Sequence, residues 1–153
     1  MKNLLLIITF LAGFSSVVAG WILSPREESP QPETMSLVPM MQQLLTDMYQ
    51  VDNGIYTENF ELIEESAGNI SDHPAMTAKD KKLVKSTLGT EMKQFVKYDM
   101  IVHHHADSMR LAALQQEMQE ILHHYRIVQQ GCVDCHSSYR EPISSARLKG
   151  GEL

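Results

Sequence analysis

The sequence predicts an all-α protein: an antiparallel four-helix bundle behind an N-terminal export or anchor segment. Three observations lead there. From position 36 onward, apolar residues recur at alternating steps of three and four, the helical period. Gly and Pro are sparse after residue 40, so few positions punctuate the chain. No strand pattern of useful length competes, and short connections favour antiparallel neighbours. The chain's 153 residues suffice for one domain with a real core. Its net charge of −6 speaks against a nucleic-acid footprint.

Residues 1–23 open with Lys2 and then run uncharged from Asn3 through Leu23. Two fates fit this segment. Val17-Val18-Ala19 before Gly20 forms a small-residue cleavage site, as in a signal peptide. The apolar run also approaches the ~20 residues that span a bilayer, with Trp21 placed as an interfacial anchor. Either fate puts the remainder outside the cytoplasm: in a bacterium, in the periplasm, free or tethered to the inner membrane. Residues 24–35 hold three prolines and read as an extended linker.

The bundle is expected over 36–142. Leu37, Met41, Leu44, Met48 and Val51 form the seam of a first helix, N-capped by Ser36 and stopped at Asp52-Asn53-Gly54. Phe60, Ile63, Ala67 and Ile70 mark a second, frayed at Gly68-Asn69, with a loop from Ser71 to Met76. Thr77 to Asp80 has capping-box form and opens a short basic helix that Gly89 ends. A long helix from about Thr90 to Ala113 follows, with Met92, Phe95, Val96, Val102 and Ala106 inward. The last helix carries the clearest repeat: Met118, Ile121, Tyr125, Val128, Cys132, Cys135 and Tyr139. The break between these two helices, near Leu114 to Gln116, has no Gly or Pro to signal it, so one uninterrupted helix is the competing layout. Glu141-Pro142 is expected to close the last helix, because the residue before proline avoids helical angles. Residues 143–153 then form a flexible tail.

The chemistry concentrates at Gly131 to Arg140. Cys132 and Cys135 are the only two cysteines, and His136 follows directly. C-x-x-C-H is the attachment signal for covalent c-type haem: two thiols bond the haem and the adjacent imidazole reaches the iron. On a helix the three side chains fall within a ~100° arc, so one haem face meets all three. A thioredoxin-like dithiol would need a βαβ pattern that is absent, and a zinc site would need a fourth ligand from elsewhere. The residues after His136 contain neither Met nor His, so a sixth iron ligand must come from upstream. In an up-down bundle the start of the first helix lies beside the end of the last. At 1.5 Å per residue this sets Met41 about level with Cys135, as distal ligand or distal wall, and Met48 ~10 Å farther along.

His103-His104-His105 is one tempting run and His123-His124 another, but consecutive helix residues diverge by ~100°, so the three of the first run cannot share one metal. Folding the two helices together brings the groups near each other and away from the haem motif. A second metal site from one member of each is one reading; helix-surface residues, some bonding Asp99 or Asp107 at i±4, is the plainer one. His73 falls in a loop and carries no signal.

From Cys132 through Arg140, on the last helix of such a bundle, the chain resembles the class II c-type cytochromes, namely cytochrome c′ and its low-spin, methionine-ligated relatives. The resemblance covers roughly residues 36–142. It implies that Cys132 and Cys135 bond one haem c, that His136 is the proximal iron ligand, and that Arg140 lies near that histidine. It also implies a distal residue on the first helix, methionine in the low-spin members and an apolar non-ligand in cytochrome c′. Matching Gly54 to the family's glycine after that helix points to Val38, and ungapped alternatives fall near Met35.

The expected function is that of an exported monohaem electron carrier that serves redox partner proteins and is not an enzyme. The alternative is a five-coordinate haem protein that binds NO or CO, with Val38 or Leu37 facing the iron. Bundles of this type often pair, so a homodimer is among the expected partners.

Overall fold

The computed structural model describes residues 33–150. The export or anchor segment, residues 24–32 of the proline-rich linker and residues 151–153 lie outside that range. The described residues form an all-α fold of five helices and one two-residue strand pair: β1 (Thr34–Met35), α1 (Leu37–Thr57), α2 (Phe60–Ser71), β2 (Ala75–Met76), α3 (Ala78–Leu88), α4 (Met92–Leu114) and α5 (Met118–Lys149). A 3-10 turn, Gly89–Glu91, joins α3 to α4. No helix among the described residues is long and apolar enough to cross a membrane.

Ser36 holds the N-cap position of α1, but its side chain makes no capping bond. Asp80 takes that role from a distance: its Oδ2 accepts the Leu37 N–H at 2.9 Å. The same carboxylate accepts from Thr77 Oγ1 at 2.9 Å, while Thr77 Oγ1 accepts from the Asp80 N–H at 3.2 Å and caps α3. Arg147 Nη1, near the end of α5, lies 3.4 Å from Asp80 Oδ1. One buried carboxylate therefore serves three elements.

Asp52-Asn53-Gly54 does not stop α1, which runs on to Thr57. Gly54 is needed for something else. A Cβ there would sit 2.6 Å from Ile63 Cγ1 on α2, so the glycine permits close approach of two helices rather than a turn. The turn comes later, where Glu58 takes the left-handed conformation (φ 52°) and Asn59 Oδ1 accepts from the Leu62 N–H to cap α2. Between α4 and α5 the expected break is present. It is carried by Gln116 at φ 58°, a residue with no special liking for that region.

Pro142 corrects the expected end of the last helix: α5 passes through it to Lys149, so residues 143–149 are helical and not a loose tail. An interior proline removes one backbone bond and crowds the preceding turn, at a cost of ~3 kcal/mol. Ile143 is buried one residue beyond it, beside Tyr139, Leu37, Val84 and Leu88, and Arg147 reaches Asp80. Burying one such aliphatic side chain contributes about 1.5–3 kcal/mol. Together with the ion pair, that offsets the proline.

The helices pack in sequence, α1 on α2, α2 on α4 and α4 on α5, with α3 against α5. Ser71 meets His103 while Glu64 meets Arg110, and His105 meets His124 while Tyr98 meets Tyr139, so both the α2/α4 and α4/α5 pairs are antiparallel. Between α1 and α5, Tyr125 Oη donates to Asp52 at 3.2 Å, Leu37 shares a core with Tyr139 and Ile143, and Val51 shares one with Ile121 and Val128. Two cores result. The larger gathers Val51, Ile63, Ile70, Met109, Ile121 and Val128; the smaller lies under α3 around Val84 and Tyr139.

Candidate functional site

Cys132, Cys135 and His136 stand on one continuous stretch of α5, placed there by the three-four repeat that buries Val128 and Tyr139 on either side. Both thiols are free and half-buried. Cys132 packs against the larger core and Cys135 against the smaller, beside Phe95 and Tyr98, so the pair straddles the junction of the two. Burial pushes both thiols up. Cys135 reaches about 11, helped by the Cys132 thiol and the Asp99 carboxylate nearby. His136 is exposed and shifted down, by desolvation first and by the Arg140 charge second. It is therefore a neutral imidazole at neutral pH, the form that coordinates a metal. Arg140, one turn on, is exposed.

At 100° per residue, Cys132, His136 and Ile143 share the row of α5 that begins at Tyr125, and that row points toward α1. Across it, Met41, Leu45 and Met48 share the row of α1 that ends at Asp52. The Asp52–Tyr125 bond fixes the register between them. Counted from that bond, Met41 and His136 are each eleven residues away, and Leu45 and Cys132 each seven.

Met41 differs from its expected setting. It is 37 % exposed, while its neighbour Met40 is 2 % exposed and takes the buried position. Met40 lies one heptad before Asp47, whose carboxylate meets Asn69 of α2 at 3.5 Å, so the sealed side of α1 is the one turned to α2. Val38, Met41 and Leu45 form a run of exposed apolar side chains along α1, while Leu44 and Met48 pack on the larger core. Met35 is half-buried in β1.

The two histidine groups do meet: His105 Nδ1 and His124 Nδ1 are 3.0 Å apart across α4 and α5, with His123 edge-on to His124. Asp107 holds Arg110 at 2.8 Å and no histidine. His103 approaches Asp99 at i−4, and His73 of the α2–β2 loop stacks on His103 with ring centroids 4.4 Å apart. Nothing local to His73 in the sequence signalled this meeting, which depends on the antiparallel docking of α2 on α4. No protein-family model, curated protein or solved structure matches the chain.

Proposed function

We propose that this chain is an exported monohaem c-type cytochrome that carries single electrons between redox partner proteins, with α1, α2, α4 and α5 as an antiparallel four-helix bundle of the cytochrome c′ kind. The observation that carries the reading is the pairing of two rows. Cys132 and His136 share one row of α5, and apolar Met41 and Leu45 share the row of α1 that ends at Asp52, the partner of Tyr125.

These residues fit a covalent haem. Two reduced thiols and a neutral imidazole share one ~100° arc of a helix, with an apolar wall opposite. The haem supplies the Fe(III)/Fe(II) couple. Cys132 and Cys135 would hold it through their sulfurs, and His136 would bind its iron. Arg140 helps keep that imidazole unprotonated and free to bind. In this reading Met41 would supply the distal thioether, with apolar Val38 and Leu45 as its neighbours on α1. Attachment outside the cytoplasm accords with the uncharged run at residues 3–23, whether it is cleaved or kept as an anchor.

Val38 and Leu45 flanking Met41 also favour a second reading, a five-coordinate iron with an apolar distal face that takes NO or CO. One experiment separates the two. The chain is produced with haem-attachment machinery and its spectra are recorded in both oxidation states. A low-spin spectrum with methionine–iron charge transfer, lost in Met41→Ala, is expected. A high-spin spectrum that shifts with CO would remove Met41 as a ligand and favour gas binding. Absence of covalent haem in the unaltered chain would sink both.

A further inference from the structure

Away from the cysteine row, the α2–β2 loop lays His73 against α4, where Asp99 and His103 stand one turn apart. Each ring is held by its Nδ1. His73 Nδ1 lies 3.0 Å from the Pro74 carbonyl oxygen, and His103 Nδ1 bonds the Ser71 carbonyl oxygen. A carbonyl only accepts, so both Nδ1 atoms carry the proton, and in the neutral ring each Nε2 is a bare lone pair. Both Nε2 atoms face the same carboxylate: His73 Nε2 is 3.8 Å from Asp99 Oδ1, and His103 Nε2 is 3.8 Å from Oδ2.

Those separations are too long for hydrogen bonds, and lone pairs facing an anion repel unless positive charge lies between them. The three ligand atoms all fall within 4.8 Å of one another. Bonds of ~2.1 Å to a tetrahedral ion put neighbouring ligand atoms roughly 3.4 Å apart, within a small side-chain adjustment of what is observed. Metal-bound histidines characteristically donate their other ring N–H to a backbone carbonyl, which fixes the tautomer and aims the lone pair. Here that outer support is already in place on both rings.

We propose that His73, Asp99 and His103 bind one divalent first-row transition ion. Two imidazoles and a carboxylate suit zinc and its neighbours rather than calcium or magnesium, which prefer all-oxygen sites. The His73 and His103 side chains are 11 % and 25 % exposed and that of Asp99 is 45 % exposed, so the ion keeps a side open to water. Binding would tie the α2–β2 loop to α4. No part of this rests on haem attachment.

The test uses the full chain carrying Cys132→Ser and Cys135→Ser, so that neither haem nor thiolate binding contributes. Zn(II) binding is measured by equilibrium dialysis at neutral pH, with helical circular dichroism as the fold control. One ion per chain is expected. Affinity should fall by more than about tenfold in each of His73→Ala, Asp99→Asn and His103→Ala, and hold in the His105→Gln/His124→Gln double variant. Asp99→Asn preserves side-chain shape, so its loss of binding with helicity intact isolates the ligand role. The proposal is overturned by a folded parent chain that binds no zinc, by binding indifferent to the three single substitutions, or by binding lost in the double variant.

Discussion

Gly54 and Met41 show how much a single position can mean beyond its residue type. A glycine after Asp52-Asn53 reads as a turn, yet here it buries a helix–helix approach in which even a methyl group meets Ile63 Cγ1 and the Asn59 carbonyl oxygen. Gly54→Ala should therefore destabilise the fold by about 1–3 kcal/mol, the usual cost of overpacking a tight core, in spite of alanine's better helix propensity. Urea unfolding monitored by circular dichroism measures this; a stabilised variant would mean that α1 and α2 part easily. The Met40/Met41 exchange is of another kind. Both residues fit a seam, and periodicity alone does not say which neighbour seals the helix. Docking on α2 decides it, and that was not legible from α1's own sequence.

At the scale of elements, the helices themselves were legible because their three-four repeats are long, and Thr77 to Asp80 capped α3 as its pattern foretold. The ends were harder. Local rules put the last helix's end at Pro142, and tertiary burial of Ile143 overrode them. Two substitutions test that balance. Pro142→Ala restores a backbone donor and should stabilise the chain by up to about 3 kcal/mol. Ile143→Ala should cost about 2–5 kcal/mol and release amide protection from residue 143 onward ahead of the rest of α5. Hydrogen exchange resolves both, and uniform protection along α5 in Ile143→Ala would show that burial is not what holds the segment. The break at Gln116 had no turn residue to announce it; backbone bonds from Gln116 and Glu117 back to Ala113 and Ala112 shape it.

For the whole molecule, titration couples to folding at both ends of the pH range. Burial, then the His105 and His123 charges, holds His124 below the usual histidine value, so the folded chain binds that proton less readily than the unfolded one. That contribution to stability is complete above about pH 6.5 and is lost as pH falls from there through the lowered folded value. The cysteines act with the opposite sign. Cys135, raised to about 11, keeps its proton in the folded chain while unfolded thiols lose theirs. Stability is then complete below about pH 8.5 and declines above it. The haem-free chain should thus be most stable between those limits, with the acid arm flattened by His105→Gln/His124→Gln and the alkaline arm by Cys135→Ser. Thermal melts across pH check each arm separately. Of the candidate sites, the cysteine–histidine stretch was legible because its members are adjacent in sequence. His73, Asp99 and His103 were not, because their meeting is set by how a loop and a helix dock.

Asp80 has one more implication. The first backbone N–H of α1 and the guanidinium near the end of α5 bond the two oxygens of a single carboxylate, so the helical body begins and finishes at nearly the same spot. A circular permutant follows directly. A short glycine–serine linker joins Gly150 to Thr34, and new termini are opened at Gln116, the solvent-exposed turn between α4 and α5. Such a chain should keep all five helices and melt as cooperatively as its parent, since the linker adds a covalent tie beside the Asp80 clasp.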